Sequence, residues 1–192
     1  VPDLLFAGFT EPWEQRKLGE LGTFDKGRGY SKADIRGVGT PLFLYGRLYT
    51  QYKLTVEEVD TFAEPKDGSL YSEAGEVVVP GSGETAEDIA VASHIASSGI
   101  LLGGDLNIVK PVQSLDSTFL ALGITNGSPH VQLAKKAQGK SVVHIHNDDI
   151  VDVNFSYPSL PEQSAIGSLF LQLDNLITLH QRECYTSQLS LC

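Results

Sequence analysis

The sequence predicts an α+β domain carried on a long C-terminal α-helix. Three observations lead there. Strand and helix signals are mixed without a regular β-α-β rhythm, which argues against a doubly wound sheet. The stretch from Pro158 to Glu183 keeps a helical apolar spacing over about 25 residues, with a Gly only at position 167. The chain of 192 residues suits one globular domain plus an extension.

Taken in order, residues 11–21 (EPWEQRKLGEL) read as a short helix, with Trp13 anchored in the core and Leu18 and Leu21 on the same side. Residues 22–37 read as a long, Gly-rich, basic loop. Loops of that length are more often functional than short ones. PLFLYGRLYT (41–50) carries a strand signal, alternating around Leu42, Leu44, Tyr45 and Tyr49. The segment 55–75 is acidic and turn-rich, with a short helix expected at 55–62. Val77 to Val79 form a buried strand ended by Pro80 and a Gly-Ser-Gly turn. Thr85 and Asp88 have capping-box-like spacing, so a helix is expected over 85–96. Residues 99–111 read as another buried strand, broken at Gly103-Gly104. Residues 116–125 and 128–139 look helical, each ending at or near a Gly. A strand over 141–147, a turn or helical stub at 148–150 and a last strand over 151–158 complete the domain.

The helix then opens with Ser159 and Glu162 at capping-box spacing and Pro161 in the first turn. Ile166, Phe170, Leu173 and Ile177 step by four, three and four, with Leu169 and Leu176 alongside. That period near 3.5 makes the seam of a helix packing along another helix. A helix of that length is a rod of roughly 38 Å. No comparable helix precedes it, so its partner lies in another chain or in a further part of this one. His180 and Cys184 continue the seam poorly, so tight packing is expected early and fraying toward Cys192. The expected division is 1–157 for the domain and 158–192 for the helix.

No apolar run reaches the length of a membrane span, and the N-terminus lacks the basic and apolar regions of a signal peptide. The two cysteines, Cys184 and Cys192, form no C-x-x-C pair. A reducing cytoplasm is the simplest compartment. The net charge of −10 speaks against nucleic acid as a partner, but the charge is polarised. Eight basic and three acidic residues lie between Arg16 and Lys53, and ten acidic residues lie between Glu57 and Asp88. This separates one anion-binding face from one acidic face.

No catalytic constellation emerges. Pro80-Gly-Ser-Gly-Glu-Thr resembles a phosphate loop only superficially, because Glu84 stands where the phosphate-binding Lys belongs. His144 and His146 share one face of a strand, but no third metal ligand stands at a motif spacing. The carboxylates of 57–76 lack the basic partner of a metal-assisted nuclease. What remains is a binding surface of three clusters. The first is Lys26, Arg28, Tyr30, Lys32 and Arg36. The second is Arg47, Tyr49, Gln51, Tyr52 and Lys53. The third is Lys135, Lys136, Gln138, Lys140 and Ser141. Arg and Lys contact phosphates and guanine, Gln suits adenine, and Ser suits several base edges.

Several blocks, in order, resemble the specificity subunit of type I restriction-modification systems. They are Gly8-Phe9-Thr10 with Trp13 to Gly19, Tyr45 to Thr50, Glu76 to Pro80, Ser82 to Thr85, Gly103 to Asn107, Ala137 to His144, and Pro161-Glu162-Gln163 with Ile166, Gly167, Leu173, Asp174 and Ile177. The resemblance covers nearly the whole chain and implies a DNA-recognition subunit without catalysis. It implies double-stranded DNA, modification (methyltransferase) subunits and restriction subunits as partners. S-adenosylmethionine, ATP and Mg²⁺ are expected on those subunits and no cofactor on this chain. In the family two such units stand head to tail, and their helices form an antiparallel coiled coil. One domain with one helix is half of that arrangement, so the chain is expected to be either a fragment of a longer subunit or one that self-associates through Ile166, Phe170, Leu173 and Ile177. The competing reading is a truncated interaction or decoy chain that dimerises without reading DNA. A solitary nuclease ranks third.

Overall fold

The computed structural model describes residues 9, 11–139 and 141–189, with side chains through residue 177. The stretch 11–21 holds not a helix but strand β1 (Glu14–Lys17) and a single 3-10 turn at Leu18–Glu20. The helix-forming residues EQRK are overruled by pairing. β1 lies antiparallel to a strand near the end of the domain, Asn154–Tyr157, with Glu14 opposite Tyr157 and Lys17 opposite Asn154. Gln15 Nε2 donates to Ser156 Oγ at 3.2 Å, and Lys17 pairs with Asp152 at 2.8 Å. Trp13 is an anchor as expected, edge-on to Phe119 at 5.8 Å.

β2 (Gly22–Lys26) occupies the first part of the expected long loop. β3 (Thr40–Phe43) is shorter than expected, and the chain coils into α1 (Arg47–Thr50). The expected helix at 55–62 is absent: β4 (Thr55–Val56) and β5 (Phe62–Ala63) flank a turn. β6 (Tyr71–Glu73) and β7 (Glu76–Pro80) follow, then the two-residue β8 (Ser82–Gly83). Thr85 does bond Asp88, at 2.7 Å from its hydroxyl and 3.0 Å from the Asp88 N–H. No helix grows from that cap over 85–96, because the backbone beyond is claimed elsewhere. Ala92 N–H donates to Thr125 Oγ1 and His94 N–H to the Leu54 carbonyl. The segment becomes β9 (Ser93–Ile95).

β10 (Ser98–Leu102) and β11 (Leu106–Pro111) are separated at Gly103-Gly104, as the sequence indicates. A Cβ on Gly103 would sit 2.4 Å from Leu44 Cδ2 and 3.1 Å from the Phe43 carbonyl oxygen, so a side chain there would require Leu44 to move, and Asp105 completes the turn at φ 62°. α2 (Ser117–Asn126), capped by Asp116, and α3 (Ser128–Lys136) match expectation. β12 (Val143–His144), α4 (Asn147–Val151) and β13 (Asn154–Tyr157) close the domain before α5 (Leu160–Leu189).

Two larger sheets stack, beside the two-stranded pairs β1-β13 and β8-β12. One has the order β2-β11-β7-β9-β4, and the other β5-β3-β10-β6. Alternation along β7 feeds two cores at once. Val77 and Val79 pack toward Phe119, Leu120, Ile124 and Phe155 on the helical side. Val78 faces the second sheet, with Ile108, Leu102 and Phe43. Leu42, Leu101, Ala63 and Tyr30 form a third, smaller cluster.

The start of α5 belongs to this domain. Gln163 is fully buried, and Gly167 allows close approach to Thr118, whose Cγ2 would lie 3.3 Å from an added Cβ. Ile166 is only 7% exposed and lies in the helical-side core, which removes it from the expected intermolecular seam. The exposed apolar stripe begins later, at Leu169, Phe170, Leu173, Leu176 and Ile177. His180, Cys184 and Cys192 lie outside the described side chains. At 30 residues the helix is about 45 Å long.

Candidate nucleic-acid interface

The three basic clusters are far apart in sequence, and each departs from a different strand or helix end. In the first, Lys26 closes β2 opposite Asn107 and is exposed. Arg28 is exposed and pairs with Asp25 at 3.3 Å. Lys32 is exposed on a 3-10 turn fixed by a reciprocal cap, Ser31 with Asp34. Arg36 is exposed but spends one nitrogen on the carbonyls of Ala33 and Ile35, at 3.1 and 2.9 Å.

Tyr30 departs from expectation. It is 5% exposed, its hydroxyl bonds Ser69 Oγ and accepts from Lys66 N–H at 2.8 Å, and Lys66 Nζ sits 4.8 Å over its ring. No face of it is open to a partner. It pins the basic loop to the second sheet.

In the second cluster, Arg47 is largely covered and forms an ion pair with Asp60. The Arg47 guanidinium holds the Asp60 carboxyl below its ordinary range, by hydrogen bond first and by charge second. Tyr49 donates its hydroxyl to the Ser82 carbonyl at 2.8 Å, and burial pushes its phenol pKa up. Lys53 is exposed. Between these two clusters opens a groove of about 810 Å³, walled by Lys32 and Ile35 on one side and Tyr45, Arg47 and Asp60 on the other.

The third cluster extends from the last turn of α3, where Lys135 and Lys136 complement the helix's C-terminal carbonyls. Gln138 and His144 exchange two backbone hydrogen bonds, at 3.2 and 2.9 Å, and Gln138 and Ser141 are exposed. Lys140 lies outside the described residues. β12 pairs with β8, and Ser82 Oγ meets His144 Nδ1 at 2.9 Å. The His144 and His146 rings stack at 6.4 Å.

These links bring the clusters to one end of the stacked sheets. Tyr49, Ser82, His144 and Gln138 form a continuous hydrogen-bonded chain from the second cluster to the third. The first joins through the β10–β11 turn, where Gly104 N–H donates to the Tyr30 carbonyl and Gly81 N–H to the Asp105 carbonyl. Asn147 Nδ2 also donates to the Asp25 carbonyl at 2.9 Å. Sequence reasoning missed Ser82, Asn107 and Asn147 as connectors. The Gly-Ser-Gly turn was the available signal for Ser82, while a lone Asn inside an apolar strand gave none. Acidic groups share this end. Glu84, Glu87 and Asp88 line a second pocket of about 580 Å³ beside Tyr49 and Tyr52.

Among the described residues no group of three or more His, Cys, Asp or Glu side chains is placed to hold a metal ion, and no helix is long and apolar enough to cross a membrane. The groove beside Lys32 and Arg47 offers polar and cationic contacts.

Similar folds occur in solved structures. A chain from a type I R-M system, studied for complex assembly and conformational transition, superposes with TM-score 0.64 at 17% identity over 94% of this chain and 43% of its own. The HsdS subunit from Thermoanaerobacter tengcongensis gives 0.60 at 16% identity, over 95% of this chain and 42% of that one. The S subunit of the type I restriction-modification system from M. genitalium gives 0.61 at 19% identity, over 92% and 43%. This chain thus spans less than half the length of each. No curated protein sequence matches it. The family model for the type I restriction modification DNA specificity domain matches residues 10–184, and the chain belongs to that family.

Proposed function

We propose that this chain reads DNA sequence for a type I restriction-modification assembly and that partner subunits carry out the chemistry. The observation that carries this reading is the convergence of three distant basic clusters at one end of the two sheets, in a chain of net charge −10. The exposed Lys26, Arg28 and Lys32 of the first cluster, with the exposed Lys53 and Lys135 of the other two, support an anionic-ligand role. Lys and Arg there set register on phosphates, and Gln138 and Ser141 offer base-edge contacts. Adenine methylation with S-adenosylmethionine belongs to modification subunits, and ATP- and Mg²⁺-dependent cleavage to restriction subunits, in the cytoplasm.

The exposed stripe of α5 from Leu169 to Ile177 supports association with the matching helix of a second copy, antiparallel, so that two readers face two half-sites. The test is a salt-dependent gel shift with the modification subunit present. A shift that weakens with salt and with Lys32→Ala supports the reading. A salt-independent shift, or none, overturns it.

A further inference from the structure

We propose that Asn107 is the positioning residue that sets segments 80–85 and 144–147 against each other, the two segments that bond Tyr49 of the second cluster and Gln138 of the third. This rests on the DNA-reading role above. Asn107 sits inside β11, between Lys26 of β2 and Val79 of β7, and is fully buried. Its neighbours along the strand, Leu106, Ile108 and Val109, are all core hydrophobics. An apolar residue at 107 would bury more hydrocarbon; the Asn107 amide nitrogen is bonded, while its Oδ1 is buried with no hydrogen-bond partner among the described residues.

The Asn107 bonds run outward to the interface. Nδ2 donates to the Ile145 carbonyl at 2.9 Å and to the Pro80 carbonyl at 3.4 Å. Those two residues belong to the two segments, Pro80 at the end of β7 and Ile145 between β12 and α4. Directly beyond them, Ile145 N–H donates to the Gly81 carbonyl at 3.1 Å, Ser82 Oγ meets His144 Nδ1, and Tyr49 closes on Ser82. One side chain thus holds together the two segments to which Tyr49 of the second cluster and Gln138 of the third are bonded. Hydrogen bonds to base edges tolerate only a few tenths of an ångström, so a shift of these segments is felt as lost discrimination. Phosphate contacts through long, exposed lysines are far more forgiving.

The experiment uses the full chain with its modification subunits. Binding to the duplex target, found by mapping methylated sites in cells, is compared with binding to a scrambled duplex across a salt series. Asn107→Leu and the milder Asn107→Ser are expected to lower the target-to-scrambled ratio by about tenfold or more. The dependence of log K on log salt should stay at the unaltered value, since the phosphate contacts persist. A cooperative melting transition in either variant establishes that it folds. An unchanged ratio in a folded variant overturns the positioning role alone, as does failure of both variants to fold, which would make Asn107 a stability residue of β11. No discrimination by the unaltered chain overturns the DNA-reading role, and this one with it.

Discussion

Gln163 Oε1 accepts the backbone N–H of Asp116 at 2.8 Å, across the joint between α5 and the start of α2. The same side chain donates from Nε2 to the carbonyls of Ser114 at 3.1 Å and Pro158 at 2.9 Å. Three backbone groups from two segments are satisfied by one buried amide. The angle at which the helix leaves the domain is therefore set by a specific bonding pattern, not by apolar contact alone. Gln163→Leu should cost about 2–4 kcal/mol, the loss expected when buried backbone groups are left unpaired. Urea denaturation followed by far-UV circular dichroism measures it.

Ile166 and Leu173 lie two helical turns apart and should respond differently to a charge. Ile166 is in the domain core, so Ile166→Asp buries a carboxylate and should destabilise the fold by at least about 3 kcal/mol. Leu173 is 42% exposed, so Leu173→Glu should leave the melting temperature near its original value. It should abolish self-association in sedimentation velocity. A Leu173→Glu chain that still dimerises would remove α5 as the pairing element.

Tyr30 and Lys32 separate anchoring from contact. Tyr30→Phe removes the hydroxyl that bonds Ser69 and Lys66 N–H, which should cost about 1–2 kcal/mol of stability. Its effect on DNA affinity should follow only from the loosened loop. Lys32→Ala should leave stability unchanged and lower the salt dependence of log K by about one unit per phosphate contact. Parallel thermal melts and salt titrations distinguish the two.

His94 gives the fold a mild acid sensitivity. Burial lowers its pKa below the ordinary 6.5, outweighing Asp116 and Glu76, which pull it up. The unfolded chain therefore takes up this proton at a higher pH than the folded one. The contribution of His94 is complete above about pH 6.5 and declines as pH falls toward the folded-state value. Urea midpoints at pH 7.5 and 5.5 should differ by less in His94→Gln than in the unaltered chain. Asp34, Asp60 and Asp152 are held low by lysine or arginine partners, so they act in a separate window below about pH 4.

Much of the architecture was readable because it rests on local patterns. β7, the break at Gly103-Gly104, α2, α3, β13 and the start of α5 carry apolar runs, glycine punctuation or caps that short windows reveal. The misreadings have one physical origin. EQRK at 14–17 and the Thr85 cap favour helix locally, but long-range pairing with β13 and the backbone demands of β9 and β4 prevail. In the binding face, residue type identified the exposed lysines and arginines. It could not separate Tyr30 from Tyr49, since burial is decided by which sheet the loop crosses. Arg47 likewise looked like an available cation until folding set Asp60 beside it.

The pinning of Tyr30 has a consequence for how new specificities arise. The tyrosine fastens the loop by its ring and hydroxyl, so the exposed residues on either side, Arg28, Ser31 and Lys32, contribute almost nothing to the hydrophobic core. Substitutions at Arg28 and Lys32 alter what the loop presents, while Tyr30 and the Ser31–Asp34 cap preserve where it is presented. Mutational drift at the tip is thereby uncoupled from foldability, and on the proposed DNA-reading role the loop can change its target without passing through unstable intermediates.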